Sequence, residues 1–217
     1  MRYRDHVSDR PVRLIYAFDP LCGWCYGFRP AIRALRSAVG DRATWGIAGA
    51  GLVTGDRERP IRETAAALEK GISQVERRTG ARFGEAFRKN ILAKGTWRLS
   101  SEAGCRAMFV AEQVAGEKVF EFTEALSTAF WDEGLLPDDP NTLRGCAQDA
   151  EIDADALLAA WATDDAKAST RAAFALWRHH GISEYPAVFV ERGAELERVF
   201  EGYVEIDVAI ERVEAVL

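Results

Sequence analysis

The stretch Val12-Arg13-Leu14-Ile15-Tyr16-Ala17-Phe18-Asp19-Pro20-Leu21-Cys22-Gly23-Trp24-Cys25-Tyr26-Gly27-Phe28 carries the decision about the fold. Val12–Phe18 is rich in β-branched and aromatic residues, which reads as a largely buried strand, and Asp19-Pro20 stops it. Two cysteines at Cys-x-x-Cys spacing follow at once. Apolar residues then recur at Ile32, Leu35 and Val39, the three-and-four spacing of an amphipathic helix, and Gly40 ends it. Thr44–Val53 is the next strand candidate, closed by Thr54-Gly55-Asp56. Strand, motif, helix, strand is a βαβ unit, so these two strands are expected to be parallel.

Outward from this unit the pattern changes to helix alone. Ile61–Arg78 puts Ala65, Leu68, Ile72 and Val75 on one stripe; Phe83–Leu92 is shorter; Ser101–Val114 opens on a serine cap. Glu117–Trp131, Asn141–Asp149, Asp153–Ala162 and Thr163–His180 continue the run, the last with a threonine cap and a stop at Gly181. Strand signals return at Pro186–Val190 and Leu196–Phe200, joined by a turn at Arg192-Gly193-Ala194, and Ile206–Leu217 is a terminal amphipathic helix. The fold class is therefore α/β, a sheet frame with a large all-helical insertion. The boundaries are residues 10–58 for the first part of the frame, 59–180 for the insertion and 181–217 for the second part.

The chemistry that Cys22 and Cys25 can perform follows from where they fall. A thiol reacts as its thiolate, and free backbone N–H groups and the dipole at a helix N-terminus stabilise that anion. Cys22 stands where strand gives way to helix, and Cys25 lies about one turn on, facing the same side. Cys22 can then attack a disulfide while Cys25 resolves the mixed disulfide. Trp24 supplies an apolar surface beside the attacking sulfur. The competing reading is half of a zinc site, which needs two further ligands. Cys105, Cys146 and the His179–His180 pair are single features in helical stretches without knuckle-like turns, so no metal ligand is assigned. A purely structural disulfide would close too small a loop to gain much.

Gly181-Ile182-Ser183-Glu184-Tyr185-Pro186 leads straight into a strand. Proline is unwelcome within a ladder except at its start or edge. A cis proline here would expose the Tyr185 backbone to an extended substrate segment, whereas a trans proline would merely start the strand. With the cysteine pair upstream, cis is the expectation.

Together the two motifs resemble the thioredoxin superfamily, and the helical insertion between them resembles its DsbA-like branch. The Phe18–Phe28 string is similar to the active-site segment of cytoplasmic DsbA-family proteins, including the FrnE-like group. The resemblance implies a thioredoxin fold and a thiol–disulfide oxidoreductase. In it Cys22 is the nucleophile, Cys25 the resolving cysteine and Pro186 the substrate-side cis proline, with Trp24 and Tyr185 beside the substrate. No cofactor beyond a redox-active Cys22–Cys25 disulfide is implied, with glutathione a candidate reductant. Partners would be protein or small-molecule thiols and disulfides. Related kappa-class glutathione transferases and hydroxychromene-carboxylate isomerases lack the paired motif and use a serine near its first position, so a glutathione-dependent transferase or isomerase stands as the alternative. A redox-regulated or zinc-holding binding module is the third.

Composition sets the outer limits. With 28 basic against 34 acidic residues, net −6, the chain has no basic footprint for nucleic acid. No apolar run approaches a membrane span. Met1 to Arg10 is charged and lacks the apolar core of an export signal, so a cytoplasmic protein is expected. Cys105, with Met108 and Phe109, and Cys146 read as small buried hydrophobes. Asp19 reads equally as a strand stop or as a group that tunes the thiol. His179 and His180 read as partners of a helix C-terminus, and His6 has no assigned role. Glu69, Arg77 and Arg78 read as solvated faces. Trp97, Trp131, Trp161 and Trp177 are expected in the core, with one or two lining a groove at Cys22.

Overall fold

A computed structural model describes residues 12–193 and 195–217. The N-terminal segment with its charged stretch and His6, and Ala194 of the last hairpin, fall outside the described residues. Four strands form one sheet in the order β2-β1-β3-β4, with β1 Val12–Phe18, β2 Ala43–Gly49, β3 Ala187–Arg192 and β4 Glu195–Glu201. β1 runs parallel to β2, with Val12 opposite Ala43, as the crossover requires, and antiparallel to β3. β3 and β4 are antiparallel, with an irregularity between Val188 and Phe189. The sheet thus draws on two pieces of chain, residues 12–49 and 187–201, separated by a mostly helical stretch. Its central strands are almost wholly buried, as continuous apolar runs demand.

Between β1 and β2 lie α1 Gly23–Gly27 and α2 Arg29–Val39, divided at Phe28 where Pro30 enters the first turn of α2. Gly40, at φ 54°, ends α2 in a conformation that costs a side chain. The helical region comprises α3 Ala65–Thr79, a short α4 Glu85–Phe87 running into a wide turn at Arg88–Leu92, α5 Glu102–Ala115, α6 Val119–Trp131, α7 Pro140–Asp149, α8 Ala154–Trp161 and α9 Asp164–His179. The chain closes with α10 Ile206–Glu214 against α2. Among the described residues no helix is long and apolar enough to cross a membrane.

Two apolar clusters support the frame. The larger joins the sheet to α2, α5, α6 and α10 through residues such as Leu14, Phe28, Leu35, Met108, Phe122 and Val190. The smaller gathers Tyr26, Phe83, Phe87, Phe130 and Trp131 beneath α1. Rings there meet at 4.7 Å for Tyr26 with Phe83 and 5.0 Å, edge-on, for Phe83 with Trp131. Such contacts are worth about 0.5–1.5 kcal/mol beyond the area they bury, and they fix the helix that bears the cysteines.

Two local expectations need correction. The second strand stops at Gly49 rather than continuing to Val53, because the next donors go elsewhere: Leu52 N–H to the Asp19 carboxylate at 2.7 Å and Val53 N–H to Ser101 Oγ at 2.9 Å. That second bond also removes Ser101 from helix capping; Ser100 Oγ accepts the Glu102 N–H instead, at 3.3 Å. Arg77 and Arg78 lie on an exposed face, as expected, and Glu69 reaches Arg88 at 2.6 Å. The Thr163 cap is present, accepting from Ala166 N–H at 3.1 Å.

Candidate active site

Cys22 is the N-cap of α1. Its Sγ accepts the Cys25 backbone N–H at 3.4 Å and donates to the Tyr185 carbonyl at 3.7 Å. Both cysteines carry free thiols. The two differ in access. Cys22, 5% exposed, lines a groove of about 830 Å³, whereas Cys25, at 0%, lies behind it within the core. Burial pushes the Cys25 thiol well above the ordinary range, and the neighbouring Cys22 adds to it. One sulfur therefore meets the groove and the other is held protonated beneath it, an arrangement suited to sequential attack.

The turn that presents Cys22 is fixed by a buried carboxyl. Asp19, 0% exposed, accepts Leu21 N–H at 2.9 Å and Leu52 N–H at 2.7 Å, and the Cys105 thiol lies 3.6 Å from its Oδ2. Burial raises the Asp19 pKa while these hydrogen bonds oppose the rise. Asp19 is thus more than a strand stop, and Cys105 is a buried thiol with a polar neighbour, its own pKa raised by burial and then by Asp19. Trp131 completes the turn by donating its indole N–H to the Pro20 carbonyl at 3.0 Å.

Tyr185 lies on the groove wall, Trp24 beside it, and the Tyr185–Pro186 peptide bond is cis. Pro186 itself is buried and is not among the groove-lining residues. None of Trp97, Trp131, Trp161 or Trp177 lines the groove. Trp131 and Trp177 are core, and Trp161 spends its indole N–H on the Ala103 carbonyl at 3.0 Å. The aromatic wall is instead Trp24 packed against Tyr203, ring centroids 5.6 Å apart and planes tilted by 41°, a residue the sequence reading did not single out. Also unforeseen were Gln74, Arg77 and Arg78 from the last turns of α3, facing Ser183 and Glu184 across the groove. Arg78 pairs with Glu205 at 2.9 Å. The adjacent arginines were visible in the sequence, but only the packing of α3 on α1 brings them to Cys22.

Among the described residues no three His, Cys, Asp or Glu side chains converge in a metal-binding group. Cys105 stands on α5 against Asp19, and Cys146 is on α7. His179 lies in the last turn of α9 with His180 as its C-cap, away from the groove.

A family model described as a DSBA-like thioredoxin domain matches residues 13–209. The chain belongs to this family. DSBA-like architecture also appears in the solved structures it resembles. A candidate protein disulfide isomerase from Nitrosomonas europaea aligns at TM-score 0.83 and 27% identity, covering 95% of this chain and 97% of that one. The cytosolic disulfide reductase DsbM of Pseudomonas aeruginosa, solved also with GSH, aligns at TM-score 0.75 and 21% identity over 94% and 97% of the two chains. A curated 2-hydroxychromene-2-carboxylate isomerase from Sphingobium xenophagum is 30% identical over 107 residues, 49% of this chain. The chain spans about half the length of that relative, 51%.

Proposed function

We propose that this DSBA-like protein is a thiol–disulfide oxidoreductase working through Cys22 and Cys25 in the cytoplasm. The observation that carries the reading is the pairing of a groove-facing Cys22, hydrogen-bonded to the Cys25 N–H at 3.4 Å, with a fully buried second thiol. Cys22, as the thiolate, attacks one sulfur of a substrate disulfide. A mixed disulfide forms and the first substrate thiolate leaves, taking a proton from solvent. Cys25 loses its proton and attacks the Cys22 sulfur; the second substrate thiolate departs and a Cys22–Cys25 disulfide remains. Two electrons pass from the protein dithiol to the substrate, and the same steps reversed oxidise a substrate dithiol.

The substrates are protein or small-molecule disulfides seated between Trp24, Tyr185 and Tyr203, with the backbone before Pro186 as a docking edge. Arg77 and Arg78 favour substrates that carry carboxylates, glutathione disulfide among them, and a thiol such as glutathione returns the pair to its dithiol form. No resident cofactor or metal is required by this scheme.

The test is a pair of variants. Cys22→Ser abolishes reduction of glutathione disulfide, and Cys25→Ser arrests the protein as a mixed disulfide detectable by mass. Exchange that survives Cys22→Ser sinks the reading. A second reading, a glutathione-dependent isomerase of a small aromatic compound, draws support from the Sphingobium relative. Activity that requires glutathione yet survives loss of Cys25 would favour it.

A further inference from the structure

The residues that carry Tyr185 to the groove lie outside the sheet. The ladder of β3 ends at Ala187, which pairs with Ala17 on one side and Glu201 on the other. Gly181 and Ile182 hang from the end of α9, their N–H groups donating to the Arg178 and Trp177 carbonyls at 3.0 and 3.3 Å. Ser183 and Glu184, both exposed, belong to neither helix nor strand. The next residue, Tyr185, is nonetheless buried, and its carbonyl accepts the Cys22 thiol at 3.7 Å.

A side chain of β4 spans this gap. Glu201, the last residue of that strand, turns one carboxylate oxygen on the loop. Its Oε1 accepts the Ser183 and Glu184 N–H groups, the second at 2.8 Å, and the Ser183 hydroxyl at 3.2 Å. Its Oε2 lies 2.7 Å from Arg198 Nη1, and Arg198 Nη2 donates to the Gly181 carbonyl at 3.0 Å. Two successive N–H groups converging on one oxygen make a cradle for an anion; here the chain fills it with its own carboxylate. Burial would raise the Glu201 pKa, but the Ser183 and Glu184 N–H groups and Arg198 hold it below the ordinary value. The clamp is therefore ionised at neutral pH, and hydrogen bonds to an ionised acceptor are the strong ones.

Glu201 does not line the groove, so it acts on substrate through the loop it holds. We infer that Glu201, with Arg198 behind it, is a positioning residue that fixes the Ser183–Tyr185 backbone beside Cys22 and so makes the site select disulfides that carry a peptide backbone. The inference rests on the reading of Cys22 as the nucleophile toward a disulfide docked along Tyr185. An extended peptide meets such an edge through main-chain hydrogen bonds, which weaken steeply when donor and acceptor fall out of line. The Ser183 and Glu184 N–H groups are committed to Glu201, which leaves Tyr185 to present its main chain. Once Cys22 is a thiolate it no longer donates to the Tyr185 carbonyl, and that oxygen is free for a substrate N–H. A disulfide without peptide groups has nothing to pair there.

A simple charge effect has the opposite sign. Glutathione disulfide is an anion at neutral pH, so removing a carboxylate near the groove would favour its approach. Loosening the loop that presents Tyr185 would hinder it. Arg77, Arg78 and Glu184, which line the groove, are left in place by a change at Glu201.

The experiment mixes the reduced protein with glutathione disulfide or with hydroxyethyl disulfide, which has no peptide group. Oxidation of the Cys22–Cys25 pair is followed by acid quench, alkylation and mass. The parent reacts faster with glutathione disulfide. Glu201→Ala lowers that rate constant about tenfold, the scale of lost charge-assisted hydrogen bonds, and lowers the hydroxyethyl disulfide rate constant less than about threefold. Glu201→Gln keeps an oxygen for both N–H groups and returns the glutathione disulfide rate to within about threefold of the parent. Arg198→Met gives the same selective loss to a smaller degree, and it carries the comparison where Glu201→Ala does not fold. An equal loss for both disulfides, or no loss, overturns the inference. So does a glutamine variant as slow as the alanine one, or a parent that does not distinguish the two disulfides. A parent oxidised by neither disulfide overturns the oxidoreductase reading itself, and this inference falls with it.

Discussion

The Leu52 backbone N–H donates to the Asp19 carboxylate at 2.7 Å, so the segment leaving β2 is fastened to the turn that presents Cys22. The other Asp19 oxygen takes Leu21 N–H at 2.9 Å. One buried carboxyl thus sets the position of the attacking sulfur from two sides.

Asp19→Asn can satisfy only one of these two donors, because the amide nitrogen must face the other. An unsatisfied buried N–H costs about 1–3 kcal/mol, so the urea midpoint should fall accordingly. Cys22 alkylation should also slow as the turn loosens. An unchanged midpoint would mean that Asp19 does not anchor the turn.

Arg77 and Arg78 line the groove, Arg78 paired with Glu205 at 2.9 Å, which leaves Arg77 as the cation to test. Arg77→Glu should raise KM for glutathione disulfide about 3- to 10-fold with little change in kcat, as expected for an exposed charge pair worth about 1 kcal/mol. Added salt should shrink the difference. Equal KM values in both proteins at low salt would remove the arginines from substrate selection.

Gly27 is where α1 touches α3. A Cβ there would stand 2.8 Å from both Val75 Cγ1 and Thr79 Oγ1, closer than side chains pack. Gly27→Ala should therefore destabilise the protein by about 1–3 kcal/mol, the cost of overpacking, measured by thermal or urea unfolding. A variant as stable as the parent would show that the α1–α3 seam can open without cost.

A buried thiol should contribute to the loss of stability at alkaline pH. Burial pushes the Cys146 thiol up to about 12 from an ordinary value near 9, with Asp149 adding to it. The unfolded chain releases this proton first as pH rises, so the contribution is fully present below about pH 9 and declines toward pH 12. The slope is about 1.4 kcal/mol per pH unit for one such group. Cys146→Ala, although less stable at neutral pH, should lose stability less steeply above pH 9; parallel curves would exclude the thiol as a source.

Much of this architecture was legible in the sequence because its signals are local. Val12–Phe18 is a strand in pattern and in structure, and Ile32, Leu35 and Val39 mark the buried stripe of α2. Cys22 falls at the helix start because Asp19-Pro20 ends the strand just before it. What escaped depends on contacts between distant residues. Val53 looked like strand until Ser101, 48 positions away, claimed its N–H. Arg77, Arg78 and Tyr203 reach the groove only through the packing of α3 and the return of the chain after β4. The tryptophans misled because size and position cannot tell a groove wall from a core: Trp131 spends its one donor on Pro20, inside the protein.

Under the proposed chemistry, Cys22 and Cys25 form one reversible redox pair. This chemistry is tested most directly by equilibrating the protein in buffers of graded reduced and oxidised glutathione, trapping thiols by alkylation and reading the masses. A reversible pair gives a single two-electron transition between the dithiol and an internal Cys22–Cys25 disulfide, absent from Cys22→Ser, with a midpoint near about −270 mV if the protein works as a reductant. A pair that stays fully reduced across the whole range, or that yields only a glutathione adduct on Cys22, contradicts it.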